Sequence, residues 1–443
     1  MFESTHSTNH PLSQAVLPIA DLDGLCRRLL RHRNDAVGIA VATQLTHAYQ
    51  SLTVDARSQF FDLLLDKYGA DTNRIVAAAR AYEEDPGFES HRALVKAVET
   101  PRQRLFHSLN LAPGGTGVLV RMRGDLLGQS TPRRVRLRAV EQDLRQLLQS
   151  WFNRGFLQLQ RIDWDSPASL LEKIISYEAV HQIQGWEDLR RRLKQDRRCF
   201  GFFHPSMADE PLVFVEIALT NDIPRSIGPL LARDSEVRHE REASTAIFYS
   251  ISNCQTGLRS VSFGGFLIKQ VVEELRRELH QLRTFATLSP VPRFWTWLTQ
   301  QVGTAGDESP VTRAAAFVHT RIEENPQWFQ DEESRESLRF PLTHLCAHYL
   351  VLEKLDDLPI DPVARFHLGN GASLHQINWL ADTSERGLAQ SVGIMVNYLY
   401  ELDMIEENHD RYVKEGTVAA SKETHSLAEP ERNDVAKRRL TPF

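Results

Sequence analysis

Apolar residues recur at three- and four-residue steps through most of the first third of the chain. Between Ala15 and Leu30, Val16, Ile19, Leu22, Leu25 and Leu29 fall on one stripe, the pattern of a helix burying one side. The same spacing predicts helices over 36–52, 55–69, 71–84 and 88–111. Asp55 reads as an N-cap, Gly69 as a C-terminal stop and Asp-Pro-Gly at 85–87 as a turn. A basic helix is expected over 133–153, its positive face a solvated or docking surface. The period changes near residue 155. Short runs rich in branched and aromatic residues now alternate with helical stretches: FLQLQRI (156–162), CFGFF (199–203), LVFVEIAL (212–219), TAIFYSIS (245–252) and TFATLS (284–289). A long amphipathic segment (265–282) between the last two makes a strand–helix–strand unit. Residues 310–355 read as helical, 366–382 as two strand-like pieces around the Asn370-Gly371 turn, and 388–402 as a last apolar helix. The expected organisation is an α+β two-domain chain. A helical bundle over 1–153 would be followed by a mixed-sheet domain with helical insertions over 154–413 and a polar, disordered tail over 414–443.

Composition narrows the class. With 443 residues, 42% of them hydrophobic, the chain can bury a sizeable core. A net charge of −6 excludes the bulk basic field of a non-specific nucleic-acid binder. Cys26, Cys199, Cys254 and Cys346 are scattered with no CxxC pair, which argues against a disulfide scaffold or a thiolate zinc site and fits a reducing compartment. No apolar run approaches a membrane span, and the first residues lack the pattern of a signal peptide. The expectation is a soluble cytoplasmic protein with no membrane or nucleic-acid partner.

Several segments could carry chemistry, each with a plain structural alternative. QTGLRSVSFGGF (255–266) joins a strand to a helix. The exposed N–H groups of a helix's first turn bind anionic oxygen, and glycines let a phosphate approach; a tight strand-to-helix turn needs the same residues. In LSPVPRFWTWL (288–298), Ser289 suits an N-cap with Pro290 at the first helical position, and an N-cap hydroxyl can also face a cleft. His367, one of 17 histidines, has a side chain suited to proton transfer near neutral pH, but composition does not select it. APGGTG (112–117) lacks the Lys-Ser/Thr ending of a P-loop and reads as a loop. His344 and His348 share a helical face but have neither the HExxH glutamate nor an obvious third ligand. Ser250 and Ser252 follow from strand alternation, and no GxSxG elbow is present.

Arg259, Ser262 and Gly264 form Arg-x-x-Ser-x-Gly. This is similar to the loop by which GNAT-type acyltransferases hold the pyrophosphate of coenzyme A, with Ser262 at its middle glycine. Segments 198–223, 245–279, 284–298 and 366–388 together resemble the malonyl-CoA decarboxylase family, in order over most of 155–402. The resemblance implies a helical domain followed by a GNAT-like catalytic domain, and an oligomer, here a dimer or tetramer of one chain. It implies conversion of malonyl-CoA to acetyl-CoA with no metal or organic cofactor. It places the catalytic residues at Ser289 and His367, and the CoA loop at Arg259, Ser260, Val261, Ser262, Phe263, Gly264 and Gly265. On this reading His367 protonates the enolate and Ser289 orients the carboxylate. A GNAT-type CoA-dependent acyltransferase and a non-catalytic CoA-ester-binding protein are the alternatives. The chain ends Thr-Pro-Phe, without the peroxisomal Ser-Lys-Leu of some relatives.

Overall fold

A computed structural model describes residues 18–32, 35–261, 267–302 and 309–429. It divides into two compact units. The first runs to Gln158 and takes in 203–212 and the loop from Gln255 to Val261; the second comprises Leu159–Phe202, Val213–Cys254 and the described chain from Leu267 onward. The two excursions lie inside the segment that sequence assigns to the sheet domain, yet they pack with the helices.

The first unit is built of α1 (Ile19–Arg31), α2 (Ala36–Gln50), α3 (Val54–Lys67), α4 (Thr72–Glu84), α5 (Phe88–Val98), α6 (Pro101–Asn110), α7 (Gly115–Leu127), α8 (Thr131–Arg136) and α9 (Arg138–Trp151). Their apolar stripes meet in one core that includes Leu22, Leu45, Phe61, Phe106, Leu119 and Leu144. Local chemistry sets the ends. Thr53, rather than Asp55, caps α3 by accepting from the Ala56 N–H. Thr100 and Pro101 split the stretch expected as one helix over 88–111, through a capping box in which Thr100 and Gln103 bond each other's backbone. The helix expected over 133–153 is broken likewise at Leu137, whose side chain is fully buried.

The second unit carries β1 (Gln158–Ile162), β2 (Arg197–Phe203), β3 (Val213–Thr220), β4 (Thr245–Asn253), β5 (Thr284–Thr287), β6 (Ser289–Pro290), the hairpin β7 (Lys354–Leu355) and β8 (Leu358–Pro359), β9 (Ser373–Asn378) and β10 (Met395–Leu399). Its helices are α10 (Ala168–Tyr177), α11 (Trp186–Arg192), α12 (Gly228–Leu231), α13 (Leu267–Glu278), α14 (Phe294–Val302), α15 (Pro310–Glu324), α16 (Glu332–Val351), α17 (Pro362–Gly369), α18 (Glu385–Ser391), α19 (Ile405–Glu415) and α20 (Lys422–Ala428). The main sheet has the order β1-β2-β3-β4-β5-β10-β6, with β9 also on β10. β4 and β5 run parallel, joined through α13, while β2–β3, β3–β4 and β10 with its neighbours are antiparallel. The chain is therefore a helical region followed by a mixed-sheet unit with helices.

Three expectations change. Residues 362–369 form α17 rather than a strand: Asp361 caps it through the Val363 and Ala364 N–H groups, and Pro362 opens it. The apolar segment 388–402 is the end of α18 and the strand β10, because the left-handed pair Val392–Gly393 stops the helix. The tail is packed as far as 429. α20 lies on α16, buries Thr424 and Ala428, and follows a bridge between Leu374 and Ala420. The rest of the expected tail, 430–443, lies outside the described residues.

The turn from α17 to β9 depends on Gly371. It sits at φ +81°, and a Cβ there would come within 2.2 Å of the Ile405 carbonyl oxygen. Gly371→Ala adds left-handed strain, typically ~1–3 kcal/mol, to a clash with backbone, so a clear fall in the thermal unfolding midpoint is expected; an unchanged midpoint contradicts this account of the turn.

Candidate active site

Two of the residues singled out in the sequence meet in the sheet unit. Ser289 Oγ lies 3.2 Å from His367 Nε2, and both residues are buried, at 5% and 3% exposure. Ser289 is held by strand pairing rather than as an N-cap: Ser289 faces Val396 and Pro290 faces Met395, and the following helix starts only at Phe294. His367 stands in the last turn of α17, which Asp361 anchors at its other end. Burial raises the Asp361 carboxyl to about 6 even though the backbone N–H groups of Val363, Ala364 and Arg293 act to lower it.

The pair belongs to a longer chain of hydrogen bonds. Tyr400 OH is 2.8 Å from His367 Nδ1, and Ser289 Oγ donates to Thr287 Oγ1 at 2.8 Å. Thr287 Oγ1 also accepts the Tyr398 N–H at 3.1 Å, and the Asn397 side-chain amide donates to the Thr287 carbonyl at 2.7 Å. The imidazole stacks on the Tyr398 ring, centroids 4.6 Å apart, and meets Phe366 edge-on. Its orientation is therefore fixed by these ring contacts and by partners at both nitrogens. Burial alone lowers His367 to about 3, so the resting ring is neutral across the physiological range. Because the Ser289 hydroxyl donates to Thr287, its oxygen is left to accept, which assigns the ring hydrogen to Nε2 and leaves Nδ1 to accept from Tyr400.

Strand β4 opens next to this pair. Its parallel ladder with β5 ends at Phe248 opposite Thr287, closed by the Leu288 N–H on the Phe248 carbonyl. Beyond that point, among the described residues, β4 continues to Asn253 paired with β3 alone, and its register with β3 shifts around Tyr249, a bulge. Behind it, Ser250 and Ser252 are more than products of alternation: both donate to the buried carboxylate of Glu178, at 2.8 Å and 3.2 Å to Oε2. Glu178 also accepts the Val180 and His181 N–H groups, which ties the preceding loop to β4.

The other residues distribute as follows. Arg259, Ser260 and Val261 belong to the helical unit, where Arg123 donates to the Gly257 and Arg259 carbonyls at 2.6 Å and 2.9 Å. Ser262, Phe263, Gly264 and Gly265 lie outside the described residues. His344 Nδ1 bonds the Leu427 carbonyl and His348 Nε2 pairs with Glu353, so each serves local structure. Thr287, Asn397, Tyr398 and Tyr400 were not singled out from sequence. Three of the four lie in 397–400, where a polar-apolar alternation was available but was read as helix.

The fold and the site together define a class: a mixed-sheet protein with a buried serine–histidine contact, beside which a parallel strand pair ends. Comparison with known proteins gives the family. Residues 68–152 match the malonyl-CoA decarboxylase N-terminal domain and residues 155–438 match the malonyl-CoA decarboxylase C-terminal domain. The mitochondrial malonyl-CoA decarboxylase of Anser anser anser is 36% identical over 421 residues, 87% of this chain and 82% of that protein. The crystal structure of malonyl-CoA decarboxylase from Rhodopseudomonas palustris superposes with a TM-score of 0.87 at 46% identity, covering 92% of this chain and 99% of that one. That from Agrobacterium vitis gives 0.85 at 47% identity, with the same coverage. This chain belongs to the malonyl-CoA decarboxylase family.

The shifted histidine has a consequence for folding. Between pH ~6.5 and ~3 the unfolded chain takes up a proton at His367 that the native ring refuses, so native stability falls as pH drops through that window. In His367→Asn this contribution is absent, and stability measured by urea unfolding from pH 7 to 4 should fall less steeply than in the parent. An equal slope contradicts the burial-driven shift.

Proposed function

We propose that the chain carries out the reaction for which its family is named, as a carboxy-lyase converting malonyl-CoA to acetyl-CoA and CO2, with Ser289 and His367 as its catalytic residues. The supporting observation is their contact in a buried site, Ser289 Oγ on His367 Nε2 with Tyr400 OH on Nδ1. Decarboxylation sends the electron pair of the breaking C–C bond into the thioester carbonyl, giving an enolate, and C2 then takes a proton. The carboxylate must stand out of the thioester plane so that this bond overlaps the carbonyl π system. Ser289 hydrogen-bonds the malonyl carboxylate and holds that orientation. At rest its one hydroxyl hydrogen is given to Thr287, and it turns to the carboxylate when the substrate is bound. His367 delivers its Nε2 proton to C2. An enolate is basic enough to take a proton from a neutral imidazole, and a proton from water then replaces it, so each turnover consumes one.

The donors for the enolate oxygen are the backbone N–H groups of β4 past Phe248, where the ladder with β5 has ended. Fixed donors of this kind typically contribute about 3–4 kcal/mol each to such a barrier. Loss of charge as CO2 forms also favours a cleft shielded from water. Arg259 and the loop that follows it are assigned to the phosphates of CoA. The proposal extends to a homo-oligomer, dimer or tetramer, in a reducing cytoplasmic setting. In its support, α4 buries no residue while Val76, Phe88, Val95 and Val98 of α4 and α5 are exposed, and all four cysteines are free and buried. Among the described residues no helix is long and apolar enough to cross a membrane.

Ser289→Ala and His367→Asn should each lower kcat by about two orders of magnitude or more while CoA binding is kept; a near-parental rate in either removes that residue's role. Tyr400→Phe, which frees Nδ1 without emptying the site, should lower kcat by roughly tenfold with little change in KM. Because the free-enzyme imidazole is neutral down to about pH 3, the kcat/KM profile should show no ionisation of His367 near pH 6.5. A limb centred there that disappears in His367→Asn contradicts the mechanism.

A further inference from the structure

We propose that a pocket of unpaired arginines in the helical unit receives the phosphorylated nucleotide end of the CoA thioester, with the ribose 3′-phosphate as its main anchor. The inference rests on the substrate proposed above. α8, α9 and the loop from Gln255 to Val261 line a cavity of ≈ 240 Å³ that presents Arg134, Arg138, Arg145, Arg259 and Ser260. A hollow of ≈ 390 Å³ shares Arg138 and Arg145 with it and adds the amide side chains of Gln142, Gln146 and Gln149.

The charge of this pocket is uncompensated. Nearby arginines are satisfied: Arg133 and Arg136 pair with Asp62, and Arg136 also with Asp66. Glu141, the carboxylate in the lining, is taken by Arg123 at 2.6 Å and 2.9 Å. Among the described residues, no ion pair involves Arg134, Arg138, Arg145 or Arg259. Arg138, Gln142, Arg145 and Gln149 recur at three- and four-residue steps, so they share one face of α9. Four cations facing one cavity repel each other, and a ligand carrying several negative charges relieves that repulsion. Guanidinium forks fit phosphate oxygens in pairs, and the glutamine amides offer both donors and acceptors to a base or ribose.

The pocket is also held in shape. Arg123, 2% exposed, bonds Glu141 with one edge and the Gly257 and Arg259 carbonyls with the other, which fixes the backbone that carries Arg259. Gly257 lies so close to α7 that a Cβ would come within 1.8 Å of the Val120 carbonyl oxygen. Ser260 is held at φ 61°, a left-handed conformation costly for a residue with a side chain. The nucleotide end carries three phosphates, and this loop, α8 and α9 bring four guanidinium groups to one cavity for them.

The test uses the full chain carrying Arg138→Gln and Arg145→Gln together; both positions are exposed, and glutamine keeps their helix propensity. Malonyl-CoA, malonyl-dephospho-CoA and S-malonyl-pantetheine are the substrates. KM for malonyl-CoA should rise at least about tenfold, with kcat within roughly twofold and KM for S-malonyl-pantetheine unchanged. The parent's preference for malonyl-CoA over the dephospho thioester should disappear in the variant. A retained preference, or an equal loss on S-malonyl-pantetheine, overturns the proposal. Calorimetric titration with adenosine 3′,5′-bisphosphate separates this from the reaction itself. Binding to the parent that weakens about tenfold or more in the variant supports the pocket whether or not CO2 is released, and equal binding to both overturns it. Absence of product from the parent, in contrast, counts against the decarboxylase reading alone.

Discussion

The site depends on a histidine kept dry. Among the described residues no charged group acts on His367 to hold a proton, and its burial keeps the imidazole neutral. Everything around it serves to make that burial tolerable and the ring immobile. Tyr400 satisfies one nitrogen and Ser289 the other, Tyr398 covers a face, and Asp361 fixes the start of the helix that carries it. A buried imidazole without these partners would be an orphaned polar group costing on the order of 1–3 kcal/mol. With them, on the mechanism proposed above, it serves as a proton donor aimed in one direction. On that mechanism the same dryness favours departure of neutral CO2 from an anion, so one constraint serves both the acid and the leaving group.

The sheet supplies the rest of the geometry. Parallel pairing of β4 and β5 stops at Phe248, and the bulge at Tyr249 turns the remainder of β4 away from the regular ladder. Past Phe248, among the described residues, β3 is the strand that pairs with β4. Glu178 tethers that half of β4 from behind through Ser250 and Ser252, so the open strand is rigid rather than frayed. The helical unit does comparable work on the loop after β4. Arg123 spends one side chain on two carbonyls and a carboxylate, and thereby sets the backbone at Arg259.

Much of this was legible in the chain itself. The switch from helical to alternating periodicity near residue 155 marks where the helices give way to the sheet, and each strand read between 156 and 289 is present. The errors share a cause. Segments 362–369 and 388–402 are short and apolar, where periodicity alone does not separate helix from strand, and the deciding signals were local: Asp361-Pro362 opening a helix and Val392-Gly393 closing one. That error hid Tyr398 and Tyr400, since a residue misplaced on a helix cannot be matched to a partner across a sheet. Ser289 and His367 came from family resemblance, 78 residues apart in the chain. Their proximity is tertiary information that local pattern does not carry. The packed segment to 429 was missed because its polar composition conceals a few well-placed contacts, the buried Thr424 and Ala428 among them.

The central claim is that His367 protonates C2 of an enolate formed by loss of CO2. The most direct measurement is incubation of the purified protein with malonyl-CoA in D2O, following acetyl-CoA and CO2 together by mass spectrometry. The account predicts one CO2 per acetyl-CoA and a single deuterium in the acetyl group, with both products lost together in His367→Asn. CoA-ester binding without product, or monodeuterated acetyl-CoA made by His367→Asn at the parental rate, would contradict it.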